Sequence, residues 1–353
     1  MTVHSLPLSK PLLVLLPNEI FFDIISTFDH WTIKRLSTVC KRLRTQCLPY
    51  LFRDIHVSFT PHGLLALRGL SQSDEICQHV VWVTYSVTDI LDPRVADAQK
   101  LREELYTSRA YAEDETEHYY LKNGNMKTFP AYESILEAFL PVGASQRNVL
   151  GKSLDMDVVS SALCRFPKVS KVTLRYDMPP IVPKFIPMLL SLRIKPEESL
   201  RHHLKVLAGG IRQTRDCSIT IRTVEFGGSS KAWGSVNIDT SAELLRDILE
   251  DVEVLRLFRA NAILTGAYQL PPFGHLREID MCDFPVIDRP AFQKFVKGHL
   301  NTLRAIHWHK VSVNSDFLRR VTQHPNVSQT VIFQPCVFRQ RVGVDKLLLT
   351  RIT

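Results

Sequence analysis

The chain has 353 residues, 45% of them hydrophobic and 23% charged, with 14 glycines and 20 prolines. That balance excludes a wholly disordered chain, a collagen and a Gly/Ser linker protein. Its 44 basic and 36 acidic residues leave a net charge of +8, which permits acidic or nucleic-acid partners without demanding them, because the basic residues are spread along the chain.

Residues 1–10 read as a flexible tail. The longest apolar run near the start, Leu12 to Leu16, is far shorter than the ~20 residues a membrane-spanning helix needs. It is also too short for a signal-peptide core and has no small-residue cleavage site after it. A soluble chain of the cytoplasm or nucleus, or both, is expected, with no membrane partner. The 7 cysteines, an odd number with no C-x-x-C pair, are expected to be reduced thiols.

The strongest pattern lies in 11–58. Pro17 and Glu19 suit the first turn of a helix in which Ile20, Ile24 and Phe28 recur every four residues, with Phe21 and Ile25 beside them. Asp29 can cap a second helix, in which Ile33, Leu36, Val39 or Cys40, and Leu43 continue the spacing. Pro49 is expected to break the pattern before a last cluster of Leu51, Phe52 and Ile55. Three short helices bury little surface alone, and apolar residues occupy more than one face of each, so either a partner protein or the rest of the chain must cover the excess.

The string Leu16-Pro17-x-Glu19-Ile20, Ile24, Phe28, Ile33, Leu36-Ser37-x-Val39-Cys40-Lys41-Arg42-Leu43-Arg44 and Leu51-Phe52 resembles an F-box. Phe28 stands where leucine is usual, and Leu43 where tryptophan is common. The resemblance implies a docking motif for the Skp-type adaptor of a cullin-based ubiquitin ligase. Carried over residue by residue, Leu16, Pro17 and Ile20 would meet the adaptor first. Ile24, Leu36, Val39, Cys40 and Leu43 would form or support the rest of that contact.

Residues 59–353 read as one repeat-like, substrate-binding domain. The template apolar-x-x-apolar-x-apolar, which marks the strand of a leucine-rich repeat, recurs at Val169-Val172-Leu174, Ile221-Val224-Phe226, Val252-Leu255-Leu257, Leu276-Ile279-Met281 and Leu303-Ile306-Trp308. Weaker copies are Cys77-Val80-Trp82 and Val327-Thr330-Ile332. From Val224 onward the middle residues are 31, 24, 27 and 24 residues apart, close to the ~20–29 of such repeats. Helical stripes fill the gaps, among them Leu244, Leu245, Ile248 and Leu249 behind Thr240 or Ser241, and Phe292, Phe295, Val296 and Leu300 behind Pro290. Units of this kind cover one another's apolar faces by stacking into a solenoid.

The even spacing fails early, and an insertion is expected at about 92–150. It opens at Asp92-Pro93 and carries Val95, Ala98, Leu101 and Leu105 at helical spacing, then a run rich in Glu and Asp up to Glu117. This reads as an exposed helix or helical hairpin, either solvated or facing a partner. Seven basic residues gather further on, at Arg193, Lys195, Arg201, Lys205, Arg212, Arg215 and Arg222. Converging arginines could read a phosphorylated substrate; a scattered, solvated set is the simpler expectation.

Signs of catalysis are weak. Gly151-Lys152-Ser153 lacks the first glycine of a P-loop, since position 146 is Gln146. His307 and His309 share a strand face, but no ligand spacing surrounds them. The expected architecture is therefore α/β: a short three-helix F-box, then an irregular leucine-rich-repeat (strand–helix) solenoid with helical insertions, similar to F-box proteins of filamentous fungi. The expected role is a non-catalytic subunit without cofactor or metal, binding a Skp-type adaptor, through it a cullin, and an unknown protein substrate. Nucleic acid is not expected, although a scaffold or nucleic-acid-associated factor outside a ligase remains the alternative. Strand alternation places Arg256, Glu278, Asp280, Ala305, His307 and His309 opposite the buried template, as the candidate substrate-binding face.

Overall fold

The computed structural model describes residues 16–121, 129–177, 186–228, 241–283 and 289–309, together with strand segments 332–335, 338–339 and 348–349. Helix α1 (Asn18–Ser26) begins directly after Pro17, whose carbonyl accepts the Phe21 amide at 3.0 Å. The carboxylate of Asp29 caps α2 (His30–Ser37), accepting the amides of Trp31 and Thr32 at 2.9 and 3.0 Å. Helix α3 (Lys41–Leu51) contains Pro49 instead of ending before it. So near the helix end, the missing proline amide removes only one bond of the ladder. Phe21, Ile25, Ile33, Leu43 and Cys47 are buried together as a core belonging to these three helices alone.

The rest is organised by one eight-stranded sheet whose order in space is the order in sequence. Its strands are β1 (Asp54–Ser58), β2 (Trp82–Val87), β3 (Lys171–Tyr176), β4 (Thr223–Gly228), β5 (Val254–Phe258), β6 (Glu278–Cys282), β7 (Ala305–His309) and β8 (Ile332–Pro335), and every pair is parallel. Parallel neighbours need a crossover each, and from β1 to β7 helices supply them: α4 (Pro61–Ser71) after β1, α7 (Leu154–Arg165) before β3, α9 (Pro196–Asp216) before β4, and α10 (Ala242–Leu249), α11 (Asn261–Tyr268) and α12 (Arg289–Gly298) between the later strands up to β7.

One apolar cluster joins these helices to one face of the sheet. Its central rung, in register, is Ile55, Val83, Val172, Val224, Leu255, Ile279 and Ile306, all buried. The five stronger template copies therefore fall on the inner face, apart from Trp308, whose side chain lies outside the description.

The weaker copies are in the wrong frame. In β2 the buried triplet is Val80-Val83-Tyr85, three residues after the expected phase, and half-buried Trp82 belongs to the opposite face. A continuous apolar stretch from Val80 to Val83 satisfies the template in either phase, and packing against the helices selects one. Val327 and Thr330 lie outside the described residues, while Phe333, not Thr330, stands across from Ile306. A further copy, Phe52-Ile55-Val57, is hidden in the segment read as the F-box, so the first sheet strand lies within 11–58.

The insertion is more than an exposed hairpin. Asp92 caps a 3-10 turn (Pro93–Ala96) and pairs with Arg94 at 2.9 Å. A π-turn (Leu101–Leu105), α5 (Ser108–Leu121) and α6 (Tyr132–Gly151) follow. Val95, Leu101, Tyr106, Ile135, Leu136 and Phe139 then make a second core that also takes in Leu91 and, from α8 (Ile186–Leu192), Met188, Leu189 and Leu192. Gly143 permits the approach of α6, because a Cβ there would lie 2.9 Å from the Val95 carbonyl carbon. Among the described residues, no helix is long and apolar enough to cross a membrane.

Candidate functional site

Two surfaces hold the residues singled out in the sequence. On the first, the start of α1 is held against α3 by three bonds: Arg42 Nη2 to the Leu16 carbonyl at 3.3 Å, Gln46 Nε2 to Asn18 Oδ1 at 2.7 Å, and Tyr50 Oη to the Phe22 carbonyl at 3.3 Å. Leu16, Ile24, Leu36 and Cys40 are half-buried, and Pro17 is exposed. Ile20 is 49% exposed and Val39 63%. Leu43 does not join them. At 1% exposure it fills the three-helix core, because its position on α3 points at Phe21, Ile25 and Ile33. It lies beneath that surface, in the core that supports it.

Trp31 was missed. It is 68% exposed in the first turn of α2, with the Lys34 ammonium 5.0 Å from its ring centroid. Its spacing leaves it off the Ile33–Leu36 stripe, so apolar periodicity passed over it. The signal available was its place in the first turn behind the Asp29 cap, which accepts its amide. Ile20, Trp31 and Val39 are three of the five large hydrophobics that stand exposed among the described residues. Exposed apolar side chains gathered on one small unit are chemistry for a protein partner.

The second surface is the sheet face away from the helices. Its middle rung is polar across all eight strands: His56, Thr84, Thr173, Glu225, Arg256, Asp280, His307 and Gln334. Neighbouring side chains pair. Lys171 Nζ lies 2.7 Å from Glu225 Oε2 and 3.3 Å from the centroid of the Trp82 ring, while Trp82 Nε1 donates to Thr173 Oγ1 at 2.9 Å. Arg256 Nε meets Asp280 Oδ2 at 2.9 Å, and His307 Nε2 is 3.9 Å from Asp280 Oδ1.

Asp280 is therefore not a free surface carboxylate. It is buried at 6% exposure, and burial pushes its pKa up while Arg256 and His307 pull it back. Burial likewise draws Lys171 below the ordinary ammonium value, against the pull of Glu225. Arg256, Glu278, Ala305 and His307 are half-buried, and the side chain of His309, across from Cys282, lies outside the description. Mutual pairing explains how so many polar groups sit this deep, since an unpaired buried charge costs far more than a paired one.

The basic run does not converge. Arg193 pairs with Asp89 at 2.8 Å, Arg212 with Asp247, Arg215 with Asp251 and, at 3.3 Å, with Glu250, and Arg222 with Glu253 at 3.9 Å. Carboxylates already occupy four of the seven cations. Among the described residues, no group of His, Cys, Asp and Glu is placed to hold a metal ion.

A polar cluster between α9 and the sheet also escaped sequence reasoning. Asp155, fully buried, accepts from His202 Nε2 at 2.7 Å and from Tyr85 Oη at 3.4 Å. Burial works against its carboxylate, but the bond and charge of His202 outweigh it and hold its pKa below the ordinary value. His203 is boxed edge-on by Phe59, Tyr85 and Tyr176, donates to the Thr88 carbonyl at 3.1 Å, and is driven by burial down to about 3. These groups join α7, α9 and β2 in the interior, and nothing about their spacing in the sequence announced them.

Residues 13–58 match the F-box-like family. No curated protein is significantly similar to the chain.

Proposed function

We propose that the chain is the substrate-recognition subunit of a Skp–cullin–F-box ubiquitin ligase, with an F-box at 11–58 and a leucine-rich-repeat-like solenoid from there to 353. The observation that carries this reading is the F-box-like match at 13–58, whose helices leave Ile20, Trp31 and Val39 exposed. F-box domains bind Skp-type adaptors, and F-box proteins are as a rule non-catalytic. Leu16, Pro17, Ile20, Ile24, Leu36, Val39 and Cys40 would form the adaptor contact, with Trp31 added to it. The sequential parallel strands, with helices in the connections from β1 to β7, are what a repeat of strand–helix units produces.

In this reading the polar sheet face holds a protein substrate, with Arg256, Glu278, His307 and His309 as contacts and Asp280 beneath them as their anchor. Holding substrate and charged ubiquitin carrier on one assembly raises their effective concentration, so the chain contributes by proximity and not by covalent chemistry. The test is affinity capture of the tagged chain from cells. Adaptor and cullin together support the ligase role, whereas adaptor without cullin points to a scaffold.

A further inference from the structure

Two thiols outside both candidate faces lie at the C-terminal ends of neighbouring helices. Cys164 is the last residue but one of α7, and Cys217 ends α9. Their adjacency follows from the repeating architecture. Strands β3 and β4 pair in register, Val172 across from Val224, and α7 and α9 lead directly into them. Cys164 precedes Val172 by eight residues and Cys217 precedes Val224 by seven, so the two occupy matching places in adjacent units. The helices approach closely along this line: a Cβ on Gly210 of α9 would lie 2.9 Å from Leu163 Cδ1 of α7. Cys217 is near enough to Cys164 to act on its ionisation.

Their environments differ. Cys217 is exposed, and Cys164 half-buried. Burial first, and then the neighbouring Cys217 thiol, push the Cys164 pKa up to about 12. Cys164 is thus a poor first nucleophile at neutral pH, and Cys217 is the thiol open to solvent. Helix α9 stops at Cys217, because Ser218 takes a left-handed φ of 60°.

We propose that Cys164 and Cys217 are an oxidation site that closes into an intrachain disulfide when the protein meets a hydroperoxide. The thiolate sulfur of Cys217 attacks the hydroperoxide. An S–O bond forms, the O–O bond breaks, and the departing oxygen takes a proton and leaves as water or an alcohol. Cys164 sulfur then attacks the resulting sulfenic sulfur. The S–S bond forms, the S–O bond breaks, and hydroxide leaves with the Cys164 proton as water. Two thiols lose two electrons in all, and one hydroperoxide gains them. Thiols at matching places on two closely packed helices need only a local shift to reach the ~2 Å of a disulfide. The bond would tie neighbouring strand–helix units together, and excess thiol would reopen it. The inference is independent of the ligase reading.

The experiment treats the full chain with hydrogen peroxide, alkylates remaining thiols, and maps peptides without reductant. The expected result is a single new cross-linked pair containing Cys164 and Cys217. Intact mass should be lower by two hydrogen atoms and two alkylatable thiols lost, and dithiothreitol should restore both. In Cys217→Ser the cross-link should vanish while the other cysteines react as before. In Cys164→Ser a sulfenic acid should persist on Cys217 and be trapped by dimedone. The proposal is overturned if both thiols stay alkylatable, if Cys217 advances to sulfinic acid beside an unmodified Cys164, or if Cys217 links to another cysteine or another chain.

Discussion

Replacing Ile20 and Val39 together with Ala separates docking from folding on the three-helix unit. Ile20 is 49% exposed and Val39 63%, so each still offers water roughly half of its side chain. Full burial of such a side chain is worth ~1.5–3 kcal/mol, which leaves about 1 kcal/mol apiece to be gained on docking. The pair should then lose about 2 kcal/mol of adaptor affinity, roughly 30-fold in Kd. Folding should change by only ~0.5 kcal/mol per site, as for other surface positions. Leu43→Ala gives the opposite profile. At 1% exposure in a core of few residues, it should cost ~2–5 kcal/mol of folding and lose binding only through the fold. Calorimetric titration with purified Skp-type adaptor, alongside thermal melting by circular dichroism, reads both quantities. A folded double variant that binds like wild type would refute the placement of the docking face.

The double substitution Leu16→Ala/Pro17→Ala removes an apolar anchor and the preset start of α1, and adaptor affinity should fall at least about tenfold in the same titration; unchanged affinity would show that these residues do not reach the adaptor. Stability should fall on acidification. His203 is held at about 3 against an ordinary 6.5, so below 6.5 the unfolded chain takes up a proton that the folded chain refuses. The loss is up to ~1.4 kcal/mol per pH unit, and His299, also lowered by burial, adds in the same direction. Urea midpoints at pH 7 and pH 5 measure it, and His203→Phe should shrink the difference; an identical difference would show that His203 is not the source. Arg256→Met alone should be less stable than Arg256→Met/Asp280→Asn by about 2 kcal/mol, because the single change strands a buried carboxylate. Equal urea midpoints would mean that the two side chains are not coupled.

What was legible in the sequence was whatever repeats. Val172, Val224, Leu255, Ile279 and Ile306 recur at matching places in strand–helix units, and all five are buried on one sheet face. The frame failed where the apolar run was too continuous to choose a phase, as at Val80 to Val83. It also failed where a strand hid inside another motif, as with Ile55 and Val57. Asp29 announced its helix because capping is a local interaction. Whether Leu43 would form the adaptor contact or support it from the core was not legible, because periodicity says that a residue is apolar on a stripe but not which of two neighbours covers it; in the structure it is buried in the three-helix core. Asp280 was placed on the correct alternation, yet its burial depends on Arg256 and His307, which come from different strands. The Asp155–His202 and Cys164–Cys217 pairs were illegible for the same reason: their members are 47 and 53 residues apart and meet only when adjacent units stack.

In the proposed role, the three N-terminal helices dock a Skp-type adaptor while the sheet remains free for a substrate. Hydrogen–deuterium exchange on the purified full chain, with and without purified adaptor, reads both halves of that role at once. The expected result is slowed exchange confined to peptides from Leu16 to Cys40, with β4 to β7 unchanged. Protection of β4 to β7 instead, or no protection anywhere at adaptor concentrations well above micromolar, would rule this role out.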